Sequence, residues 1–433
     1  MARAPLPRRI SDSLRRVGLL RTLTGVVGLV VLLAPVILWA AGERATAVEN
    51  RPFAARPALD QGWEMTDQAT AFFTDRVPVR NAAIDLRRTV SDRLFGEPPP
   101  PAARSGPVGA GGAASGGTRY VQDRSLQVLE GGEGTLFFGE EFARACRPDE
   151  PTAATLEQVR RLALGLRAAG KRAAIVIVPD KSGIETDLLP KDLPERGCAE
   201  KARQARFDGL RRLGLPEIVD VQSDLLRLQR SGVRPYLPLD THVSSRGSAT
   251  FLSSVLRRLD PRVARSAPLE RTGIERAQGD LTVIRGEPAE GPDEIYRFAR
   301  PGVTVLPGGQ LDPLGNFPLF HLAATGTRKH PVVPGRTAWF GDSFTERALP
   351  QMEPLFADLW RVPELTRGPA RDRPEEALGL VLDQFRQAEN VVIELVERTA
   401  FGRGKGSIFY PPTVDRILAA LRESPGAQVA DRR

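Results

Sequence analysis

Several residue types on which binding sites often depend are scarce in this chain. It holds three histidines and two cysteines among 433 residues, and aromatic residues make up only 6%. So few histidines leave few candidates for a general base, and so few aromatic rings leave little surface for stacking on sugars. The sequence contains no Gly-rich phosphate loop, dinucleotide fingerprint or zinc-ligand spacing, and we therefore predict no cofactor and no metal.

The basic character of the chain is concentrated at its amino terminus. The formal net charge is +8, and residues 1–41 contribute +5 of it through six arginines and one aspartate. The remaining residues are close to balanced. Because nucleic-acid binding requires a concentrated basic surface on the folded part, we predict no nucleic-acid partner.

An apolar run over residues 23–42 predicts a membrane-spanning helix. Its 20 residues are almost uninterrupted by polar side chains, and at about 1.5 Å per residue they match the hydrocarbon core. The arginines precede this run, which predicts a cytoplasmic N-terminus and a single-pass protein of the cell membrane with an extracytoplasmic catalytic domain. A cleaved signal peptide ending near Ala45-Thr46-Ala47 is the alternative, although signal-peptide apolar regions are usually shorter.

Composition divides the rest of the chain. We predict an Arg-rich cytoplasmic tail over residues 1–22, a juxtamembrane helical segment over 43–97, a flexible loop rich in Pro and Gly over 98–118, the main domain over 119–425 and a disordered tail over 426–433. In the main domain, apolar strand patterns alternate with helical ones. This alternation predicts an α/β fold with a parallel sheet covered by helices on both faces.

Three local predictions complete this outline. The helix after Ser343 is expected to continue through Phe356. The stretch 267–335, rich in Gly and Pro, is expected to be an inserted loop region with short β-like pieces such as 281–284. Cys146 and Cys198, both in the predicted exported part, are expected to form a disulfide, with two free buried thiols as the alternative.

Two short motifs point to acyl transfer or hydrolysis through a serine nucleophile. Asp240-Thr241-His242 combines an imidazole with a nearby carboxylate, and Gly341-Asp342-Ser343-Phe344 follows an apolar strand pattern. A serine at the carboxyl end of a parallel strand faces the crevice where α/β sheets bind ligands. The predicted catalytic residues are therefore Ser343 as nucleophile and oxyanion N–H donor, His242 as general base and Asp240 as the group that orients the imidazole. Alternatively, the first motif is a helix cap and the second a turn.

The two motifs resemble the catalytic blocks of SGNH esterases, but in reversed order. That reversal and the Asp-Thr-His spelling are similar to the circularly permuted SGNH domain of the AlgJ/AlgX family of alginate O-acetylation proteins. Further segments resemble the family in order along the chain: 49–52, 72–81, 134–139, 178–190 and 392–398. The family's usual aromatic residues are replaced at three of its positions, by Thr135, Glu185 and Val243.

The resemblance implies an SGNH-hydrolase-like, flavodoxin-like fold and a membrane-anchored O-acetyltransferase that modifies an exported or cell-surface polysaccharide. It implies an acetyl-serine intermediate, a polysaccharide acceptor and a polytopic membrane acyltransferase as the acetyl donor. Lys181 and Arg398 fall in resembling segments and are candidate cleft residues, or alternatively structural ion-pair partners. Two other functions remain open: an SGNH esterase or deacetylase with the same triad, and a non-catalytic scaffold of polysaccharide assembly.

Overall fold

A computed structural model describes residue 33 and residues 128–314, 317–365, 373–402 and 407–423. The elements below all belong to the unit Ser105–Arg433. None of the described helices is both long enough and apolar enough to span a membrane. Apart from residue 33, the predicted membrane helix over 23–42 lies outside the described residues, as do the segments 43–97 and 98–118 and the tail 426–433.

The chain begins with a small hairpin and then alternates helices and strands. The strands are β1 Val128–Glu130, β2 Leu136–Phe138, β3 Arg172–Val178, β4 Ile218–Val219, β5 Leu269–Gln278, β6 Glu290–Phe298, β7 Thr304–Leu311, β8 Leu319–Thr325, β9 Val333–Gly341, β10 Phe356–Pro363 and β11 Asn390–Val396. The helices are α1 Gly139–Cys146, α2 Thr152–Ala168, α3 Arg196–Arg212, α4 Val221–Arg230, α5 Ser245–Leu259, α6 Pro261–Arg265, α7 Asp280–Arg285, α8 Ser343–Met352, α9 Pro374–Gln387, α10 Glu397–Gly402 and α11 Pro411–Arg422.

Seven strands form the central sheet, in the order β4-β3-β11-β9-β10-β8-β7. The first five are parallel to one another, whereas β8 runs antiparallel to both of its neighbours, β10 and β7. Alternate residues of β3 enter two different apolar clusters, so both faces of the sheet are buried. One cluster contains side chains of α2, α3, α9 and α11, and the other contains side chains of α4, α5, α6 and α8.

The predicted α/β fold with helices on both faces is therefore confirmed, but the prediction of a purely parallel sheet is wrong. The antiparallel strands β7 and β8 come from the stretch 267–335, which we predicted to be a loop region. Every residue of β7 is exposed, and its Pro307-Gly308-Gly309 sequence hides the strand pattern. β7 is a strand because it pairs with β8, whose sequence follows a strand pattern more closely.

Two further local predictions are wrong. Residues 281–284 lie in helix α7, because Leu281 is buried beneath the β1–β2 hairpin and Gly286, at φ +84°, ends the helix. The helix after Ser343 ends at Met352, and Phe356 begins strand β10, which pairs with both β8 and β9. In both cases, tertiary packing overrides the local propensity.

The predicted disulfide between Cys146 and Cys198 is confirmed, and among the described residues no free cysteine remains. It joins the last residue of α1 to the first turn of α3, with 5.5 Å between the Cα atoms. The disulfide thus connects the hairpin and α1 to a helix that packs on the central sheet.

Candidate active site

His242 is held by Asp240 in the loop between α4 and α5. The His242 Nδ1 atom lies 2.6 Å from Asp240 Oδ1, which also accepts a 2.8 Å hydrogen bond from the His242 backbone N–H. With Nδ1 donating to the carboxylate, Nε2 is left with its lone pair and can accept a proton. This arrangement is the one that a general base requires.

The electrostatics of the pair stabilise a charged imidazole. Burial alone would raise the pKa of Asp240, but the His242 ring and Arg347 hold that pKa well below its usual range. Burial alone would lower the pKa of His242, but the charge and hydrogen bond of Asp240, together with Asp280, raise it. The protein therefore favours the imidazolium that forms when His242 takes up a proton.

Asp280, at the start of α7, is a second carboxylate beside the histidine, and we did not predict it. Its Oδ1 accepts a 2.8 Å hydrogen bond from the Thr241 N–H, and its Oδ2 lies 3.5 Å from His242 Nδ1. Burial and the neighbouring charge of Asp240 raise the pKa of Asp280. The approach of the two loops depends on Gly279, where a Cβ would lie 2.6 Å from the Cβ of Leu239.

Ser343 lies where strand β9 turns into helix α8. Asp342 caps the helix, since its carboxylate accepts a 2.9 Å hydrogen bond from Phe344 N–H and a 2.8 Å hydrogen bond from Val396 N–H. Ser343 is half-buried and is the first helical residue, so its N–H has no carbonyl partner within the helix. A backbone N–H that is free of the helix's own hydrogen bonds is the kind of group that can donate to an oxyanion.

The structure brings the two motifs next to each other. The His242 and Phe344 rings are 5.1 Å apart between centroids, and Arg347 of α8 donates a 3.2 Å hydrogen bond to the Val243 carbonyl. Among the described residues, no hydrogen bond joins Ser343 Oγ to His242. Asp240 and His242 are therefore in direct contact, while proton transfer between Ser343 and His242 stays a prediction.

Lys181 and Arg398, the candidate cleft residues, both lie in buried networks. The Lys181 ammonium donates to the carbonyl oxygens of Leu136, Leu237, Pro238 and Asp240, at 2.6 to 3.1 Å. Arg398 pairs with Asp180, and its guanidinium lies 5.7 Å from the centroid of the Phe344 ring. Lys181 thus anchors the loop that carries the Asp240–His242 pair, and Arg398 packs on the residue after Ser343.

Asp240, His242 and Asp280 also form the one group of potential metal ligands among the described residues, with their ligand atoms within 4.8 Å of one another. Hydrogen bonds inside the group account for its geometry. Both oxygens of Asp240 accept hydrogen bonds, from His242 and from the Asp280 N–H, and both oxygens of Asp280 accept hydrogen bonds from Thr241. The arrangement therefore fits the orientation of a histidine without any ion.

Comparison with known proteins gives a family match over part of the chain. Residues 128–292 match the ALGX family model, described as the SGNH hydrolase-like domain of the acetyltransferase AlgX. This span contains Asp240, His242 and Asp280 and ends before Ser343. No curated protein matches the chain.

Several solved structures are similar to the chain. The O-acetyltransferase domain of Pseudomonas putida AlgJ is 18% identical, with a TM-score of 0.43 over 67% of this chain and 98% of that one. Pseudomonas aeruginosa AlgX is 13% identical, with a TM-score of 0.43 over 70% and 69% of the two chains. Bacillus cereus PatB1 with a sulfonyl adduct is 10% identical, with a TM-score of 0.39 over 64% and 96%. The part of the chain over residues 128–292 is therefore similar to the SGNH hydrolase-like domain of the acetyltransferase AlgX.

Proposed function

We propose that this protein is a membrane-anchored O-acetyltransferase that transfers acetyl groups to an extracytoplasmic polysaccharide through Ser343. The observation that carries the proposal is the hydrogen-bonded Asp240–His242 pair, whose ring lies against the residue that follows Ser343. A carboxylate-held imidazole beside a serine at a helix N-terminus is the arrangement that activates a hydroxyl for acyl transfer. The family match over residues 128–292 supports the same reaction class.

In the proposed mechanism, His242 Nε2 takes the hydroxyl proton as Ser343 Oγ attacks the acetyl carbonyl. The charges of Asp240 and Asp280, which raise the pKa of His242, stabilise the imidazolium at this stage. The Ser343 N–H donates to the oxyanion, and the C–O bond to the donor then breaks as His242 returns the proton to the leaving oxygen. A sugar hydroxyl attacks the acetyl-serine in the same way, which yields the acetylated sugar and free Ser343.

The anchor and the partners belong to the proposal as well. Residues 23–42 would hold the protein in the cell membrane, with the arginines of the tail in the cytoplasm. Because activated acetyl donors such as acetyl-CoA are cytoplasmic, a polytopic membrane acyltransferase would deliver the acetyl group. The acceptor would be a cell-surface or exported polysaccharide.

The catalytic test uses the full chain in neutral detergent with p-nitrophenyl acetate. Ser343→Ala, His242→Ala and Asp240→Ala should each lower turnover by about 10³-fold or more, because triad members act as a unit. Mass spectrometry should find acetylated Ser343 in the wild type. Ser253→Ala, on the part-buried surface of α5, is the matched control and should keep full activity.

Two outcomes would contradict the proposal in different ways. Wild-type turnover by Ser343→Ala, with no acyl-enzyme, would exclude the serine mechanism and favour the scaffold alternative. Release of acetate alone when an oligosaccharide acceptor is present, together with removal of acetyl groups from a modified polymer, would identify an esterase instead.

A separate experiment tests the topology. A reporter that is active only outside the cytoplasm, fused after Arg433, should be active, because the apolar run follows the arginines. The mature protein should also retain its arginine-rich N-terminus. A mature N-terminus near residue 48 would show that the run is a cleaved signal peptide.

A further inference from the structure

A cationic cavity lies at the opposite end of the sheet from Ser343. It has a volume of about 490 Å³ and is lined by Arg262, Arg265, Ser266, Arg328, Lys329 and Pro331. Pro331 lies just before β9 begins at Val333, whereas Ser343 follows the end of that nine-residue strand. The two sites are therefore about 30 Å apart along β9.

The positive charges of this cavity are mostly uncompensated. Among the described residues, the lining side chains make a single ion pair, between Arg262 and Asp260 at 2.8 Å. Arg265, Arg328 and Lys329 are all exposed and have no carboxylate partner in the described part of the chain. Several cations around one cavity repel one another, and this repulsion destabilises the empty site.

The walls of the cavity are fixed by a buried arginine. Arg300 is 8% exposed, and its guanidinium donates to the Ser266 carbonyl at 3.1 Å, to Ser266 Oγ at 2.8 Å and to the Pro331 carbonyl. These bonds hold the end of α6 against the turn before β9. No carboxylate among the described residues compensates Arg300, whose Nε atom is buried without a partner, and burial lowers its pKa.

The turn that presents Arg328 and Lys329 is also held by hydrogen bonds. Thr327 N–H donates to the His330 carbonyl, and His330 N–H donates to Thr327 Oγ1, both at 3.0 Å. His330 Nδ1 lies 3.1 Å from the Ser266 carbonyl, which ties the turn to the end of α6 a second time. The arginines of α6 and the cations of this turn therefore cannot easily move apart to relieve their repulsion.

We propose that this cavity binds a phosphate group. Guanidinium and ammonium groups bind phosphate oxygens through charge-assisted hydrogen bonds, and the three cations without ion pairs match a dianion better than a single carboxylate. The group belongs either to a soluble phosphoester or to a phospholipid headgroup. The assignment is independent of the acyl-transfer chemistry at Ser343.

The test titrates the full chain in neutral, zwitterionic detergent with inorganic phosphate by isothermal calorimetry. Wild-type protein should show saturable binding that weakens as salt is added. Arg265→Gln/Lys329→Gln should weaken it by about tenfold or more, since the double substitution removes two cations that can form charge-assisted hydrogen bonds with the phosphate. The matched control is Arg212→Gln/Arg230→Gln, which removes the same number of positive charges at exposed positions on α3 and α4. This variant should bind phosphate as the wild type does.

A parallel titration separates the two sources of phosphate. Glycerol 3-phosphate represents soluble phosphoesters, and dihexanoyl phosphatidylglycerol represents headgroups, with dihexanoyl phosphatidylcholine as its zwitterionic control. If glycerol 3-phosphate binds more tightly than dihexanoyl phosphatidylglycerol, the ligand is a soluble phosphoester. If the phosphatidylglycerol binds more tightly, the ligand is a lipid headgroup. Absence of saturable phosphate binding, or equal binding by both double variants, would overturn the proposal.

Discussion

At the scale of single residues, Asp280 gives the histidine a second acidic neighbour. Its charge raises the pKa of His242, behind the larger contributions of Asp240. Asp280→Asn removes that charge but keeps a side-chain oxygen for the Thr241 N–H. We therefore expect a lower pKa for His242, so that the neutral base persists to lower pH and the acidic limb of kcat/KM shifts towards acid.

The pH profile of p-nitrophenyl acetate hydrolysis measures this shift, and Asp293→Asn is a suitable comparison. Asp293 is also a buried carboxylate and pairs with Arg347 at 3.0 Å, but within the described part of the chain it makes no hydrogen bond or ion pair with His242. An unchanged profile in Asp280→Asn would show that Asp280 only holds the Thr241 loop.

The sequence predicts contacts between site residues that are close along the chain, but not contacts between residues that are far apart in it. Asp240 and His242 are two residues apart, so their pairing can be inferred from the motif alone. Asp280 reaches the same histidine only because Gly279 lets its loop approach Leu239, a tertiary contact that no local pattern encodes. The burial of Lys181 among four carbonyl oxygens is likewise created by three separate segments of the chain.

At the scale of elements, the turn from β9 into α8 depends on Gly341. A Cβ there would lie 2.8 Å from the Cβ of Thr345, whose hydroxyl accepts from Trp339 at 2.8 Å and donates to Glu394. Burial raises the pKa of Glu394 well above its usual range. The helix that begins at Ser343 can therefore pack against β11 only while residue 341 has no side chain.

Gly341→Ala should lower the free energy of unfolding by about 1–3 kcal/mol, as expected of overpacking in a buried site, and should reduce activity through displacement of Ser343. Chemical denaturation and turnover measure both effects. Gly379→Ala is the matched control, because Gly379 lies in helix α9 with no atom near an added Cβ. That substitution should be neutral or stabilising by up to about 1 kcal/mol. Equal stability of the two variants would show that the turn adapts.

Among the elements, those that the sequence predicts best are the ones buried on both faces. β3, β9 and β11 contain continuous apolar runs, whereas a strand with one exposed face would alternate apolar and polar residues. All three lie inside the sheet. Strands β7, β8 and β10 carry weaker patterns, and they lie together at one side of the sheet. Their order depends on pairing with neighbours, which explains why we predicted a loop and a helix end instead.

At the scale of the whole molecule, the disulfide links the β1–β2 hairpin and α1 to helix α3 of the main body. The bridged cysteines are 52 residues apart, and the chain-entropy model assigns about 4 kcal/mol to closing a loop of that size. Cys146→Ser/Cys198→Ser should therefore lower the free energy of unfolding by about that amount. Reductant should destabilise the wild type in the same way and leave the double variant unaffected; equal stability with and without reductant would contradict the estimate.

The strand order has a consequence for biosynthesis. The last strand, β11, lies between β3 and β9, so the sheet has a gap at its centre until residues 390–396 have been made. The ribosome therefore releases the Asp240–His242 half of the site, and later Ser343, before the strand that joins them exists. Such long-range closure folds slowly and exposes apolar strand edges in the interim. We therefore expect a nascent chain of this protein to be most prone to aggregation before residues 390–396 have emerged.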